Sequence, residues 1–92
     1  MKRPVEIPID GTLDLHTFRP KEVASLVREY IEVCLDKGIY EIRIIHGKGK
    51  GVLRSTVHHI LEEHPMVVGF HDAHDWSGWG ATVVYLRKVG LD

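Results

Sequence analysis

The sequence predicts an α/β protein, a two-layer sandwich of order βαβαββ in which two helices lie on one face of a four-stranded mixed sheet. Three observations predict it. Apolar residues fall at helical steps in two separate stretches, short β-rich runs lie before, between and after them, and glycine or proline marks most of the joins.

Leu13 to His16 reads as the first strand, with Leu13 and Leu15 on one side and Asp14 and His16 on the other. Pro20 suits the first turn of a helix, and Val23, Leu26, Val27, Tyr30, Ile31, Cys34 and Leu35 then make one apolar stripe ended by Lys37 and Gly38. Ile39 to His46 reads as a buried strand, parallel to the first. After a glycine-rich loop, Leu53, Val57, Ile60 and Leu61 resume helical spacing until Pro65. Val67 to His71 and Ala81 to Arg87 are the third and fourth strands, joined as an antiparallel hairpin. Residues 1–11, with Pro4, Pro8 and Gly11, read as an extended arm whose Val5, Ile7 and Ile9 can share a buried face; residues 12–92 form the domain.

At 92 residues the chain is expected to be one domain with a thin core. Its 43% hydrophobic and 27% charged content is that of a soluble globular protein. No apolar run approaches the roughly 18–20 residues that cross a bilayer, so no membrane association is expected. Met1-Lys2-Arg3-Pro4-Val5-Glu6 lacks the apolar stretch of a secretory signal. A single cysteine, Cys34, sits on the first apolar stripe as a core residue, and a reducing cytoplasmic location fits it. Twelve basic against 13 acidic residues leave a formal charge of −1, so nucleic-acid affinity must come from a local patch.

Ligands of open α/β sheets favour the carboxyl ends of parallel strands, and here those ends carry Asp14-Leu15-His16 and His46-Gly47-Lys48. A carboxylate beside an imidazole can orient it as a general base or acid. The same pair can supply two ligands to a divalent ion, or simply satisfy loop backbone at a strand end. The stretch His46-Gly47-Lys48-Gly49-Lys50-Gly51 places three glycines in the five residues before a helix N-terminus, a construction that favours phosphate. Lys48, Lys50 and Arg54 add cations within a turn of that end. The Walker pattern is incomplete, so this is not a nucleotide P-loop; the plain alternative is a solvated connection.

Histidine is abundant, at 7 residues of 92. His71-Asp72-Ala73-His74-Asp75 has the composition of a metal cluster but no fixed ligand geometry, and reads better as a hairpin loop. No metal site is assigned. Trp79, between Gly78 and Gly80, reads as a lid on the core; Trp76 is open to that role or to stacking on a base.

Taken together, Leu13-Asp14-Leu15-His16, Ile44-Ile45-His46-Gly47-Lys48-Gly49 and Gly78-Trp79-Gly80-Ala81-Thr82-Val83-Val84 resemble, in order and spacing, the small MutS-related (Smr) domain over about residues 12–88. The resemblance implies a fold similar to the C-terminal domain of bacterial translation initiation factor 3. It also implies action on nucleic acid as a nicking or single-strand endonuclease, on DNA in some members and on messenger RNA at stalled ribosomes in others. Carried onto this chain, the cleavage blocks are Asp14 and His16, and His46, Gly47, Lys48 and Gly49. In that reading His16, oriented by Asp14, is the base, His46 protonates the leaving oxygen, and Lys48, Lys50 and Arg54 hold phosphate. A variant uses a divalent ion, Mg²⁺ or Mn²⁺, on Asp14 and a histidine. Partners are then DNA or RNA, with ribosome association a further expectation. The competing reading is a noncatalytic nucleic-acid- or ribosome-binding module. Thr17 stands where many members have glycine; its Cβ narrows the phosphate approach, or its hydroxyl serves substrate or caps the helix. The chain otherwise reads as a nearly bare domain.

Overall fold

The structure is a computed structural model that describes residues 8–47, 51–73 and 80–88. The elements follow the expected order: β1 (Thr12–Asp14), α1 (Pro20–Asp36), β2 (Glu41–Ile45), α2 (Val52–Glu63), β3 (Val67–Asp72) and β4 (Ala81–Leu86). They form a four-stranded sheet of order β1-β2-β4-β3. β1 and β2 run parallel, while β4 is antiparallel to both β2 and β3. The hairpin therefore returns its last strand to the middle of the sheet, where Ile44 pairs with both Leu13 and Thr82.

Strand alternation selects the faces. Leu13 and Leu15, Ile42 and Ile44, and Val84 and Leu86 turn inward and meet Val23, Val27, Tyr30, Ile31 and Cys34 of α1 and Val57, Ile60 and Leu61 of α2 in one core. Cys34 is a buried free thiol within it, as its place on the stripe predicts. The opposite face carries a smaller cluster of Ala73, Ala81, Val83 and Ile45.

Pro20 opens α1 as expected, but the N-cap is Arg19, whose N–H donates to the Glu22 carboxylate at 3.0 Å. Thr17 lies outside the helix and does not cap it. Gly38, at φ +75°, follows the α1 C-cap Lys37, and His64 caps α2 ahead of Pro65. At the arm, Ile9 packs on the core; Val5 and Ile7 lie outside the described residues. Gly11 turns the chain into β1 at φ +97°, where a Cβ would meet the Glu41 carbonyl at 3.4 Å. Its N–H donates to the Tyr30 hydroxyl (3.1 Å), which donates in turn to the Thr12 carbonyl (3.1 Å) and ties the start of β1 to α1.

Candidate functional site

The register brings five segments to one end of the molecule. β1 and β2 finish there at Asp14 and Ile45, β3 finishes at Asp72, β4 begins at Ala81, and α2 starts nearby, so that its Arg54 reaches Asp72. This is the carboxyl end of the parallel pair, where the topology puts a ligand.

Asp14 and His16 meet as expected. The Asp14 Oδ1 accepts the His16 backbone N–H at 3.0 Å and lies 2.8 Å from its Nδ1. Partial burial works to raise the Asp14 pKa, but the bonds and charge from His16 outweigh it and hold the carboxyl below the ordinary value of 3.8. An ionised carboxylate only accepts, so it selects the Nδ1–H form of the imidazole and leaves Nε2 as the basic nitrogen. The couple is open to solvent, with side-chain exposures of 74% for His16 and 45% for Asp14.

His46 takes a different place. Asp14 pairs in register with Ile45 on the face away from the helices, whereas His46 follows Ile42 and Ile44 on the inward face and is buried at 6% exposure. Its Nδ1 lies 3.1 Å from the Gly47 carbonyl, and its Nε2 lies 2.8 Å from the Thr82 hydroxyl. Both ring nitrogens are thus engaged within the protein and the ring is enclosed. The main chain is fastened as well: the N–H groups of His46 and Gly47 both donate to the Gly80 carbonyl, at 3.0 and 2.9 Å. Gly47 itself adopts φ +81°.

Arg54 is also engaged. Its guanidinium forks onto Asp72, with Nε and Nη2 at 3.1 and 2.9 Å from Oδ1 and Nη2 at 2.8 Å from Oδ2. The Arg54 bonds, set against a smaller cost of desolvation, hold the Asp72 carboxyl below 3.8. Lys48, Gly49 and Lys50 lie outside the described residues, as do His74, Asp75, Trp76 and Trp79. Asp72 turns to Arg54, while His71 turns to Tyr85, its Nε2 accepting from the phenol at 2.9 Å. Neighbours in the chain thus diverge. Among the described residues, no three His, Cys, Asp or Glu side chains converge as metal ligands. The Asp14–His16 pair, one carboxylate already bonded to one imidazole, does not fit the oxygen-rich shell of a resident Mg²⁺.

Three residues of this end escaped the sequence reading: His58, Thr82 and Asp72 in its pairing with Arg54. The signal for Thr82 was present, since it shares the inward alternation of Val84 and Leu86 yet carries a hydroxyl. His58 borders the apolar stripe of Val57 and Leu61 and lies one turn after Arg54, so its ring sits beside the same strand end.

An open α/β sheet with a carboxylate–imidazole couple at one of two adjacent parallel strand ends defines a small two-layer α/β domain with a candidate ligand site at that end. Residues 13–87 match the family model for the Smr domain, and the chain belongs to that family. It is 34% identical over 83 residues to the endonuclease MutS2 of Caldicellulosiruptor saccharolyticus, covering 89% of this chain but 10% of that protein. It is 36% identical over 78 residues to the ribosome rescue factor SmrB of Shewanella baltica, covering 84% of this chain and 44% of that one. The chain thus spans less than half the length of these curated relatives. Among solved structures it is similar to the Smr domain of Thermus thermophilus MutS2, with a TM-score of 0.80 and 33% identity over 85% of this chain and 99% of that one. It is also similar to the stand-alone small MutS-related protein YdaL of Escherichia coli, with a TM-score of 0.77 and 32% identity over 85% and 65% of the two chains. Among the described residues, no helix is long and apolar enough to cross a membrane.

Proposed function

We propose that this domain is a nucleic-acid endonuclease in which His16, oriented by Asp14, is the general base. The observation that carries the reading is the 2.8 Å Asp14–His16 couple, open to solvent at the strand end next to the one that feeds the glycine loop. The names of the relatives, an endonuclease and a ribosome rescue factor, support nucleic acid or a ribosome-bound message as the partner. On RNA, Nε2 of His16 takes the proton of a ribose 2′-hydroxyl as its oxygen bonds to phosphorus. The bond to the 5′-oxygen breaks, and that oxygen takes its proton from water. On DNA the same nitrogen takes the proton of a water whose oxygen bonds to phosphorus; one ester P–O bond breaks, and the departing oxygen takes its proton from water. The loop from Gly47 to Gly51, with Lys48 and Lys50, holds the phosphate and offsets the charge that develops on its oxygens. His46 serves this loop rather than the leaving group. The reaction as written passes through no metal ion.

Labelled single-stranded RNA and supercoiled plasmid, incubated with the protein in EDTA, Mg²⁺ or Mn²⁺, test it. Cleavage should persist in EDTA and fall at least 100-fold in His16→Ala and Asp14→Ala while binding survives. Tight binding without cutting under every condition assigns the domain instead to the noncatalytic class.

A further inference from the structure

The Asp14–His16 couple leaves a second polar group unaccounted for, on the other face of the same sheet end. Thr82 is fully buried, and two imidazoles converge on its hydroxyl: His46 Nε2 and His58 Nε2, each at 2.8 Å. A hydroxyl has one proton to give and two lone pairs to accept with, so at least one of the two imidazoles must donate to it.

The far end of the chain fixes which. The Gly47 carbonyl only accepts, so His46 carries its proton on Nδ1. Burial first, and the charge of Arg54 after it, keep the His46 ring neutral against the opposing pull of the Gly47 bond and Asp72. A neutral ring protonated on Nδ1 has a bare Nε2, which accepts the Thr82 proton. The Thr82 oxygen is then left to accept from Nε2–H of His58. One directed chain results, from His58 through Thr82 and His46 to the Gly47 carbonyl.

His58 is set by what surrounds it. Arg54 and Glu62 lie one turn to either side on α2. The ring of Phe70 on β3 meets it edge-on at 4.9 Å between centroids, and the carboxylate of Asp72 stands 4.0 Å from Nε2. Desolvation leads in keeping this ring neutral as well, with Arg54 next. Every buried side-chain polar atom among the described residues finds a partner.

Resting on the endonuclease reading, we propose that His58 and Thr82 are positioning residues of the site: acting through His46, they hold the Gly47 carbonyl inward and so fix the entry of the glycine loop that receives phosphate. Gly47 is gripped twice, by the Gly80 carbonyl at its N–H and by His46 at its oxygen. Together the two bonds set the orientation of Gly47, at φ +81°, where the chain leaves β2 for the glycine-rich stretch. Without the chain, a glycine at positive φ has many alternatives.

The test uses the full chain at pH 7.5. Imidazole ¹⁵N NMR should give His46 as the Nδ1–H tautomer and His58 as the Nε2–H tautomer. Thr82→Val removes the central hydroxyl and should shift the His46 Nε2 ¹⁵N resonance as that nitrogen loses its donor, with affinity for a labelled single-stranded RNA oligonucleotide and cleavage each falling about tenfold, the scale of lost orienting bonds at other sites. Thr82→Ser should restore both readouts to within twofold. His58→Gln, whose amide can still donate, should outperform His58→Phe at this partly exposed position, which keeps the test available if Thr82→Val fails to fold. An Nε2–H tautomer at His46 overturns the proposal, and so does equal loss in the valine and serine variants or in the glutamine and phenylalanine ones. The tautomers and RNA affinity do not depend on cutting: if the protein binds RNA without cleaving it, the endonuclease reading fails while the chain is still judged by these two.

Discussion

Replacing Arg54 with glutamine separates two uses of one guanidinium. Its place within a turn of the glycine loop suggests a phosphate ligand, whereas the structure commits it to Asp72 through a bidentate pair. Each phosphate contact contributes about −0.7 to the slope of log affinity against log salt for single strands. Three cations give about −2.1; Lys48 and Lys50 alone give about −1.4. The ion pair also has a stability value. Both side chains are about a third exposed, at 34% and 35%, so solvent screening limits the loss on Arg54→Gln to about 1 kcal/mol despite the forked geometry. In a domain of this size that lowers Tm by roughly 4–8 °C.

Fluorescence anisotropy of a labelled single-stranded oligonucleotide between 50 and 300 mM KCl reads the slope, and thermal unfolding reads the stability. The expected pair of results is a wild-type slope near −1.4 that Arg54→Gln leaves unchanged, and a Tm that falls. A slope that weakens by about 0.7 in the variant with Tm unmoved would refute the assignment and restore Arg54 to the phosphate.

Two further predictions concern stability. Acid should weaken the fold in two steps. His46 and His58 are held below the ordinary imidazole value of 6.5, so the unfolded chain binds their protons first; stability is complete above about 6.5 and falls as pH drops toward the native values. Asp14 and Asp72 are held below 3.8, so their contribution is lost as pH falls below about 4. Urea midpoints measured from pH 8 to 3 check this, and a midpoint constant from 8 down to 5 would contradict it. Tyr30→Phe should cost about 1–3 kcal/mol in urea unfolding, because the Gly11 N–H and Thr12 carbonyl lose their partner where the chain turns into β1; a change under 0.5 kcal/mol would show that water replaces the phenol.

Most of the fold was legible because periodicity and punctuation agree. Pro20, Gly38 and Pro65 mark the helix ends within a residue or two, and the apolar steps name nearly all the buried residues of α1 and α2. The place of β4 between β2 and β3 was not legible, since pairing across the sheet is non-local and no pattern in Ala81–Leu86 states its neighbours. At the site, Asp14 and His16 are two residues apart, and local geometry alone brings them together. Arg54 and Asp72 are 18 apart and meet only because β3 ends where α2 begins. His46 shows the same limit in another form. Its place at the strand end beside that of Asp14 suggested one shared site, but the inward alternation of Ile42 and Ile44 continues through it and carries its ring away from the face of Asp14.

That alternation accounts for a histidine count which, taken whole, invites a metal or an acid–base reading and establishes neither. The described histidines are distributed by face and partner. His16, at an open strand end beside a carboxylate, has the surroundings of a base. His46, buried, and His58, partly buried, are kept neutral and have those of hydrogen-bond relays. His59 pairs with Glu63 one turn on at 3.6 Å, the His64 Nδ1 accepts the Met66 N–H at 3.0 Å, and His71 accepts from the Tyr85 phenol. An imidazole can be donor, acceptor or cation according to its neighbours. Six uses of one side chain therefore need no common ligand, and the chemistry of each follows from whether its strand or helix position turns it toward water or toward the core.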